Sequence, residues 1–179
     1  MLIVRISGNY GSLLLTSVRL PGGPALEVNV QRLDPEANHV ASVGLHLLAH
    51  IQNFGDVHFD EGWAGFPGQK LRIEAFAIVS AGPLGPESVE YRGVTADGLE
   101  TAWLSHQMLC GSRGKGVGLT GYAVRLRPDV AGLYDCTYSG RFVSGRVVGP
   151  LSNGDLCTSD MPGDPLEEIE LRIVERQSD

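Results

Sequence analysis

Two tryptophans are the side chains of this sequence best suited to binding chemistry. Trp63 lies at the edge of a glycine-punctuated loop, and Trp103 precedes a second such loop at 111–116. An indole face can stack on a sugar ring, and planar polar side chains can bind its hydroxyls. The polar residues near these loops are His58, Asp60, Glu61, His106, Gln107, Asn153 and Asp155. The sequence therefore predicts carbohydrate-binding residues at the loop ends, and the alternative is that both tryptophans pack on the core beneath the loops.

Three histidines raise the question of a metal site. His46 and His50 lie four residues apart in a predicted strand and so share a face, and His58 follows in the next loop. No cysteine lies near them, and no firm pattern places a pair of carboxylates beside them. We therefore interpret these histidines as ordinary polar residues rather than as metal ligands, and no metal or other cofactor is expected.

The acidic residues argue against catalysis. Asp60 and Glu61 are adjacent in the chain, as are Glu167 and Glu168. Adjacent residues of a strand point to opposite faces, whereas glycoside cleavage needs two carboxyls that face one bond. The segment 111–116 resembles a phosphate-binding loop but has the wrong spacing and no helix after it. The protein is therefore not expected to be an enzyme.

Composition limits the other partners. The chain has 179 residues and a formal net charge of −7, which fits one domain and disfavours nucleic acid. No run of about 18 apolar residues is present, so no membrane-spanning helix is expected. The first residues do not form a secretion signal, which leaves a cytoplasmic location or non-classical export open. Homo-oligomer formation also stays open.

An internal repeat organises the chain. Residues 89–126 align with 136–173 without a gap, and 11 of these 38 positions are identical. A first copy at about 43–80 aligns with them after a short deletion in the loop that follows Gly55. Cys110 and Cys157 occupy equivalent positions, where the first copy has Ala64, which indicates a small buried site. A period of this length is typical of repeat architectures.

The predicted elements are almost all strands. They cover 43–51, 71–79, 89–94, 117–126, 136–143 and 166–174, with shorter strands near 101–104 and 146–151 and a loop at 56–70. A turn is predicted at 152–155, where Asn153-Gly154 provides the signal. Residues 1–42 are predicted to be strands that complete the body of a single domain, 1–179. No window has the sustained period of a helix.

The last strand of each copy has apolar residues at gaps of three and two. Ile73, Phe76 and Ile78 show this pattern in the first copy, and equivalent residues repeat it in the other two. A bulge near Ala75, Gly121 and Glu168 would return the apolar residues to one face. Three equivalent strands predict an all-β fold with pseudo-threefold symmetry, either a β-prism or a β-trefoil.

The first copy also carries a family resemblance. His50-Ile51-Gln52-Asn53-Phe54-Gly55, followed by 60–75 with Trp63-Ala64-Gly65 and Leu71-Arg72-Ile73-Glu74-Ala75, resembles the clostridial hydrophobic repeat with a conserved tryptophan, the ChW repeat. The match weakens in the second copy and is faint in the third. That family's tryptophan after the first glycine is replaced here by Asp56, Leu99 and Arg146. The resemblance implies an all-β repeat of bacterial surface and secreted proteins that attaches to carbohydrate or to cell-surface material.

These observations predict a non-catalytic, lectin-like module that recognises a saccharide or glycoconjugate through loop pockets. The alternative is a structural scaffold that packs on a protein partner. A lectin requires concave loop pockets with polar and aromatic groups, whereas a scaffold presents a flat apolar patch.

Overall fold

The computed structural model describes residues 43–60, 62–80 and 82–176, and these residues form strands and turns without any helix. The all-β prediction is therefore confirmed for the described part of the chain. The predicted N-terminal strands at 1–42 lie outside it. The described residues form eleven strands: β1 (Leu45–Ile51), β2 (Gly55–Phe59), β3 (Trp63–Gly65), β4 (Ile73–Ser80), β5 (Val89–Val94), β6 (Cys110–Gly111), β7 (Gly121–Leu126), β8 (Tyr134–Phe142), β9 (Val147–Leu151), β10 (Cys157–Thr158) and β11 (Leu166–Glu175).

The strands form three antiparallel sheets, with the orders β2-β1-β4-β6, β10-β7-β5 and β3-β11-β8-β9. In each sheet the first and last long strands of one sequence repeat pair with each other, as β1 with β4, β5 with β7 and β8 with β11. Alternating burial along β1 and β5 shows that one face of each strand points to the core.

Three strands of two or three residues each, β3, β6 and β10, join one repeat to the sheet of another. β6 pairs with β4, β10 pairs with β7, and β3 pairs with β11, so each short strand adds to the last long strand of a different repeat. The described residues contain three sheets and no closed barrel. They therefore lack the barrel that the β-trefoil alternative requires.

The apolar residues of the three last strands meet in one core. Ile73, Phe76 and Ile78 are buried, as are their equivalents Leu119, Tyr122, Val124, Leu166, Ile169 and Leu171. The pairing register shifts opposite Glu74 in β4 and at Glu167 in β11, which confirms the predicted bulge in two strands. The third strand, β7, begins only at Gly121 and shows no such shift.

Two local predictions were wrong. The segment predicted as a loop at 56–70 contains β2 and β3, because the polar Asp56 and His58 alternate with Val57 and Phe59 on an edge strand. The short strand predicted near 101–104 is reduced to isolated bridges, Val94 to Glu100 and Tyr91 to Leu104.

The small-residue position is confirmed. Ala64, Cys110 and Cys157 are all fully buried, and the three cysteines of the chain are free thiols. Burial raises the pKa of Cys136 and of Cys157 to about 12, so both thiols stay protonated and unreactive at neutral pH.

Candidate functional site

Trp103 is half-buried on the outer face of the second sheet, between two arginines. The guanidinium of Arg125 lies 4.0 Å from the ring centroid, and that of Arg92 lies 4.7 Å away. Arg125 also forms an ion pair with Glu90 at 2.7 Å, and Arg92 forms one with Glu100. Both arginines are therefore fixed by carboxylates while they stack on the indole.

The third repeat contributes a turn to this cluster. A Cβ atom placed on Gly154 would lie 3.3 Å from the Trp103 ring, so the turn 152–155 packs against the indole. Asn153 and Gly154 have φ values of 55° and 88°, and the Asp155 amide donates to the Ser152 carbonyl oxygen. These features define a type I′ turn, the type that Asn-Gly favours. The structure thus brings Trp103 together with the turn that carries Asn153 and Asp155.

His106 and Gln107 occupy the equivalent turn of the second repeat. Both are exposed, with φ values of 51° and 64°, and the Met108 amide donates to the Ser105 carbonyl oxygen. The hydroxyl of Tyr91 anchors this turn through the Met108 carbonyl oxygen at 2.7 Å. Side chains at positive φ in both central positions are uncommon, because the Cβ crowds the backbone there.

Trp63 is placed differently, as the first residue of β3 where that strand pairs with β11. It is half-buried and pairs with Glu170 in the register of the sheet. The guanidinium of Arg141 lies 5.5 Å from its ring, and Arg141 Nε lies 2.6 Å from Glu168 Oε2. Burial raises the pKa of Glu168, and the charge of Arg141 opposes that rise.

His58 and Asp60 lie on the outer face of the first sheet. His58 is exposed and stands opposite Leu48, while Asp60 Oδ1 lies 2.8 Å from His46 Nδ1. Glu61 lies outside the described residues. Within the described ranges, no three His, Cys, Asp or Glu side chains are arranged to hold a metal ion.

A second pair on this face involves the next repeat. His50 Nδ1 lies 2.6 Å from Asp56 Oδ1, and Arg113 binds both oxygens of Asp56, at 3.0 and 2.7 Å. The hydrogen bond from His50, together with Arg113, lowers the pKa of Asp56. Arg113 belongs to the glycine loop 111–118, so this loop is tied to the hairpin between β1 and β2.

A groove of about 610 Å³, hereafter called the groove, lies on the second repeat. Its walls are the turn 95–101 and the glycine loop 111–118, with Glu74 of β4 at the boundary. The polar side chains in it are Glu74, Thr95, Asp97, Glu100, Thr101, Ser112 and Lys115. Leu99 and Val117 also line it, with 66% and 41% of their surfaces exposed.

The carboxylates of the groove differ in their partners. Glu74 is buried and accepts a hydrogen bond from Arg72 at 2.9 Å, and Glu100 is paired with Arg92. Asp97 accepts a hydrogen bond from the Thr95 hydroxyl, which lowers the pKa of this exposed carboxyl. Asp97 is therefore ionised at neutral pH and faces solvent as a hydrogen-bond acceptor.

Of the nine residues predicted as binding residues, none of the eight that the structure describes lines the groove. The signals that could have found it are the turn at Thr95-Ala96-Asp97-Gly98 and the run of glycines from Gly111 to Gly118. The loop was predicted at 111–116, but its position beside Glu74 depends on the pairing of β6 with β4, which local patterns do not reveal.

Sequence reasoning also missed an aromatic cluster on the first repeat. Phe54 is 62% exposed, and its ring centroid lies 4.7 Å from that of Phe66. Phe66 in turn contacts Phe59 at 6.3 Å between centroids. We call these three rings the Phe54 platform. The available signal was an aromatic residue in the turn Asn53-Phe54-Gly55, where polar residues are usual.

The chain matches no protein-family model, and no curated protein or solved structure shows significant similarity to it. The resemblance to the ChW repeat therefore stays a prediction. A separate finding concerns membranes: among the described residues, none forms a helix of the length and apolarity that crossing a bilayer requires.

Proposed function

We propose that this protein is a non-catalytic, carbohydrate-binding module and that the groove is its saccharide site. The observation that carries this proposal is the groove itself, an open depression with a mostly apolar surface and hydrogen-bonding side chains along its walls. Binding sites for small polar ligands are concave and hold a few well-placed polar groups among apolar ones.

The chemistry of the lining suits a sugar. Asp97 provides an ionised acceptor for hydroxyl groups, and Lys115 provides a donor from the opposite wall. Ser112 can donate or accept as the sugar requires. Leu99 and Val117 offer exposed apolar surface for the C–H face of a ring, the role that the sequence analysis gave to the tryptophans.

The same carboxylates support a role without catalysis. A glycosidase needs one carboxyl with a raised pKa as the general acid and a second carboxyl on the other side of the bond. The pKa of Asp97 is lowered, and Glu74 and Glu100 are each paired with an arginine. The groove therefore fits binding better than bond cleavage.

We also propose that the three repeats form a pseudo-threefold, β-prism-like ring. The support is the direction of the short-strand pairings: the second repeat adds to the first, the third to the second, and the first to the third. In such a ring the three loop regions are equivalent in position but differ in side chains, so we expect the groove of the second repeat to be the principal site.

A glycan array with the purified protein tests the proposed function. Asp97→Asn and Lys115→Ala should each reduce binding to the recognised glycan, because each removes a charged hydrogen-bonding group from the groove. Asp129→Asn is the matched control, since Asp129 is an exposed carboxylate in the turn after β7. Binding that is equal in all four proteins would contradict the groove as the site.

The second candidate function is an interaction scaffold for a protein partner. The exposed Phe54 platform favours it, because aromatic residues are enriched at protein interfaces. A folded protein that binds no glycan on a broad array would support this candidate over the carbohydrate-binding module.

A further inference from the structure

The three repeats share one local arrangement at the place of the groove. Each has a loop after its short strand, at 66–72, 112–118 and 159–165. Each also has the same hairpin turn after its first long strand, defined by one hydrogen bond from an amide to a carbonyl oxygen: Phe54 to Ile51, Gly98 to Thr95 and Gly145 to Phe142. We call the space between the turn and the loop of each repeat its cleft.

The cleft of the first repeat is filled by aromatic rings. The ring of Phe54, in the turn, lies 4.7 Å from the ring of Phe66, in the loop. Phe66 is packed against the core, so this contact holds the turn to the loop. The two rings occupy the space that a ligand would need, and this cleft is therefore closed.

The cleft of the third repeat is filled by polar contacts. The amide and the hydroxyl of Ser144, in the turn, donate to the two carboxylate oxygens of Asp164, in the loop, at 3.1 and 2.6 Å. Asp164 is buried, and a second link joins Arg146 to Asp160 at 2.9 Å. The turn of this repeat therefore already holds a carboxylate, which the chain itself supplies.

The cleft of the second repeat is open, and it is the groove. In this described part of the chain, no hydrogen bond or ion pair links the turn 95–98 to the loop 112–118. In the gap-free alignment of the second and third copies, Asp97 stands at the position of Ser144, and Val117 stands at that of Asp164. The internal carboxylate is thus replaced by an apolar side chain, and the hydroxyl that bound it is replaced by a carboxylate. A ligand here meets an acceptor at the turn, where the third repeat has a donor.

The charges around the groove are balanced. Glu74 and Glu100 are each paired with an arginine, which leaves Asp97 and Lys115 as the charged lining residues without an ion pair. One unpaired charge of each sign suits a ligand without net charge, because Asp97 repels an anion and Lys115 repels a cation. The net charge of −7 also opposes the approach of an anionic ligand.

We propose that, of these three clefts, only the groove binds a ligand, so that each chain binds one saccharide, and that Asp97 determines the specificity by accepting hydroxyl groups of a neutral sugar and excluding sugar acids. This inference rests on the proposed function. A like charge placed against the wrong ligand is a common device for specificity.

The test compares neutral sugars with their acids. The probes are soluble oligosaccharides of glucose and glucuronate, of galactose and galacturonate, and of mannose and mannuronate, titrated by calorimetry. The wild type should bind the neutral member of a pair at one site per chain and its acid at least about tenfold more weakly, which is the scale of a like-charge contact near a protein surface. Raising the salt concentration from about 0.05 M to about 0.5 M should narrow this difference, because salt screens the repulsion.

Asp97→Ser copies the turn of the third repeat. It replaces the repelling carboxylate with the hydroxyl that Ser144 uses to bind Asp164, so it should weaken binding of the neutral sugar and strengthen binding of the acid by about tenfold. Asp97→Asn removes the charge but keeps the shape, and it should relieve the exclusion of the acid to a similar degree. Asp129→Ser makes the same change as Asp97→Ser at an exposed carboxylate in the turn after β7 and should leave both affinities unchanged. Asp97 is exposed, so the melting temperature of its variants should stay near that of the wild type.

The possible failures are distinguishable. Tighter binding of the acid by the wild type, or discrimination that is unchanged in both Asp97 variants, would overturn the role of Asp97 and leave the groove as a saccharide site. Binding on the array that is confined to glycans with carboxylate or sulfate groups would do the same. Two or three sites per chain would overturn the closure of the other clefts. Absence of binding to every glycan would overturn the proposed function and this inference with it.

Discussion

Gly93 in β5 and Cys110 in β6 form a tightly packed pair at the edge of the core. A Cβ atom added to Gly93 would lie 2.8 Å from Cys110 Sγ and 3.1 Å from a methyl of Leu119. Apolar atoms pack at about 3.5 to 4.0 Å, so Gly93→Ala overlaps the sulfur by about 0.7 Å. Overpacking of this kind costs about 1 to 3 kcal/mol, and we expect Gly93→Ala to lower the free energy of unfolding by that amount.

The first repeat shows how this loss can be reversed. Ala49 pairs with Phe76 as Gly93 pairs with Tyr122, and Ala64 stands where the second repeat has Cys110. Both alanines are fully buried, so an Ala–Ala pair fits the same site. Cys110→Ala alone leaves a small void and should cost about 1 kcal/mol.

The double variant Gly93→Ala/Cys110→Ala should regain most of the stability lost in the single variants, since the new methyl takes the space of the sulfur. We expect a favourable coupling energy of about 1 to 2 kcal/mol. Urea denaturation of the four proteins measures it directly. A Cβ atom added to Gly140 would also lie 2.8 Å from Cys157 Sγ, so the equivalent variants of this pair form a second, independent double-mutant cycle. Simple additivity in both cycles would refute this account of the packing.

Three further predictions concern the rest of the described structure. Because burial raises the pKa of Glu168, this carboxyl binds its proton more tightly in the folded state than in the unfolded state. The protonated carboxyl therefore adds to the free energy of unfolding fully below the ordinary pKa of 4.5, and this contribution decreases as pH rises through the raised pKa. Glu168→Gln should flatten this decrease when urea unfolding is measured from about pH 4 to about pH 8, and an unchanged slope would contradict it. Trp103→Ala should lower the free energy of unfolding by about 2 kcal/mol, through loss of packing and of two cation–π contacts; an unchanged melting temperature with lost glycan affinity would instead support the ligand-stacking hypothesis. Gly111→Ala should cost about 3 kcal/mol or more, because φ is +104° and the new Cβ would strike the backbone of β4, whereas Gly114→Ala, with φ of +69° and open space, should cost about 1 kcal/mol in the same urea assay.

The position of Trp103 illustrates why candidate sites are harder to predict than folds. The sequence places this residue next to a glycine loop, and both stacking on a ligand and packing on the core are compatible with that place. The choice depends on Arg92 and Arg125, which approach the ring from two strands, and on Gly154, which arrives from another repeat. Contacts between residues far apart in the chain have no local signature.

Local features of the fold could be read from the sequence because they depend on a few neighbouring residues. Alternating apolar residues predicted β5 with its bounds, 89–94, and Asn153-Gly154 predicted a turn because both residues accept a positive φ. The spacing of Ile73 and Phe76 predicted a bulge in β4, since only an extra residue places both on one face. The repeat length itself indicated three similar units.

Tertiary structure alone decided how those units combine. The pairing of β3 with β11 joins the first and last parts of the described chain, and the pairing of β6 with β4 brings the glycine loop against Glu74 to form the groove. Such pairings are selected by shape, as where Gly65 lies against Glu168 and Gly111 against Ala75 with no room for a side chain. The sequence determined the long strands and the core positions, because propensity and periodicity act locally, but not the short strands β2 and β3. The groove exists only because Glu74 of the first repeat meets loops of the second, and the Phe54 platform exists only because Phe54, Phe59 and Phe66 meet within the folded first repeat.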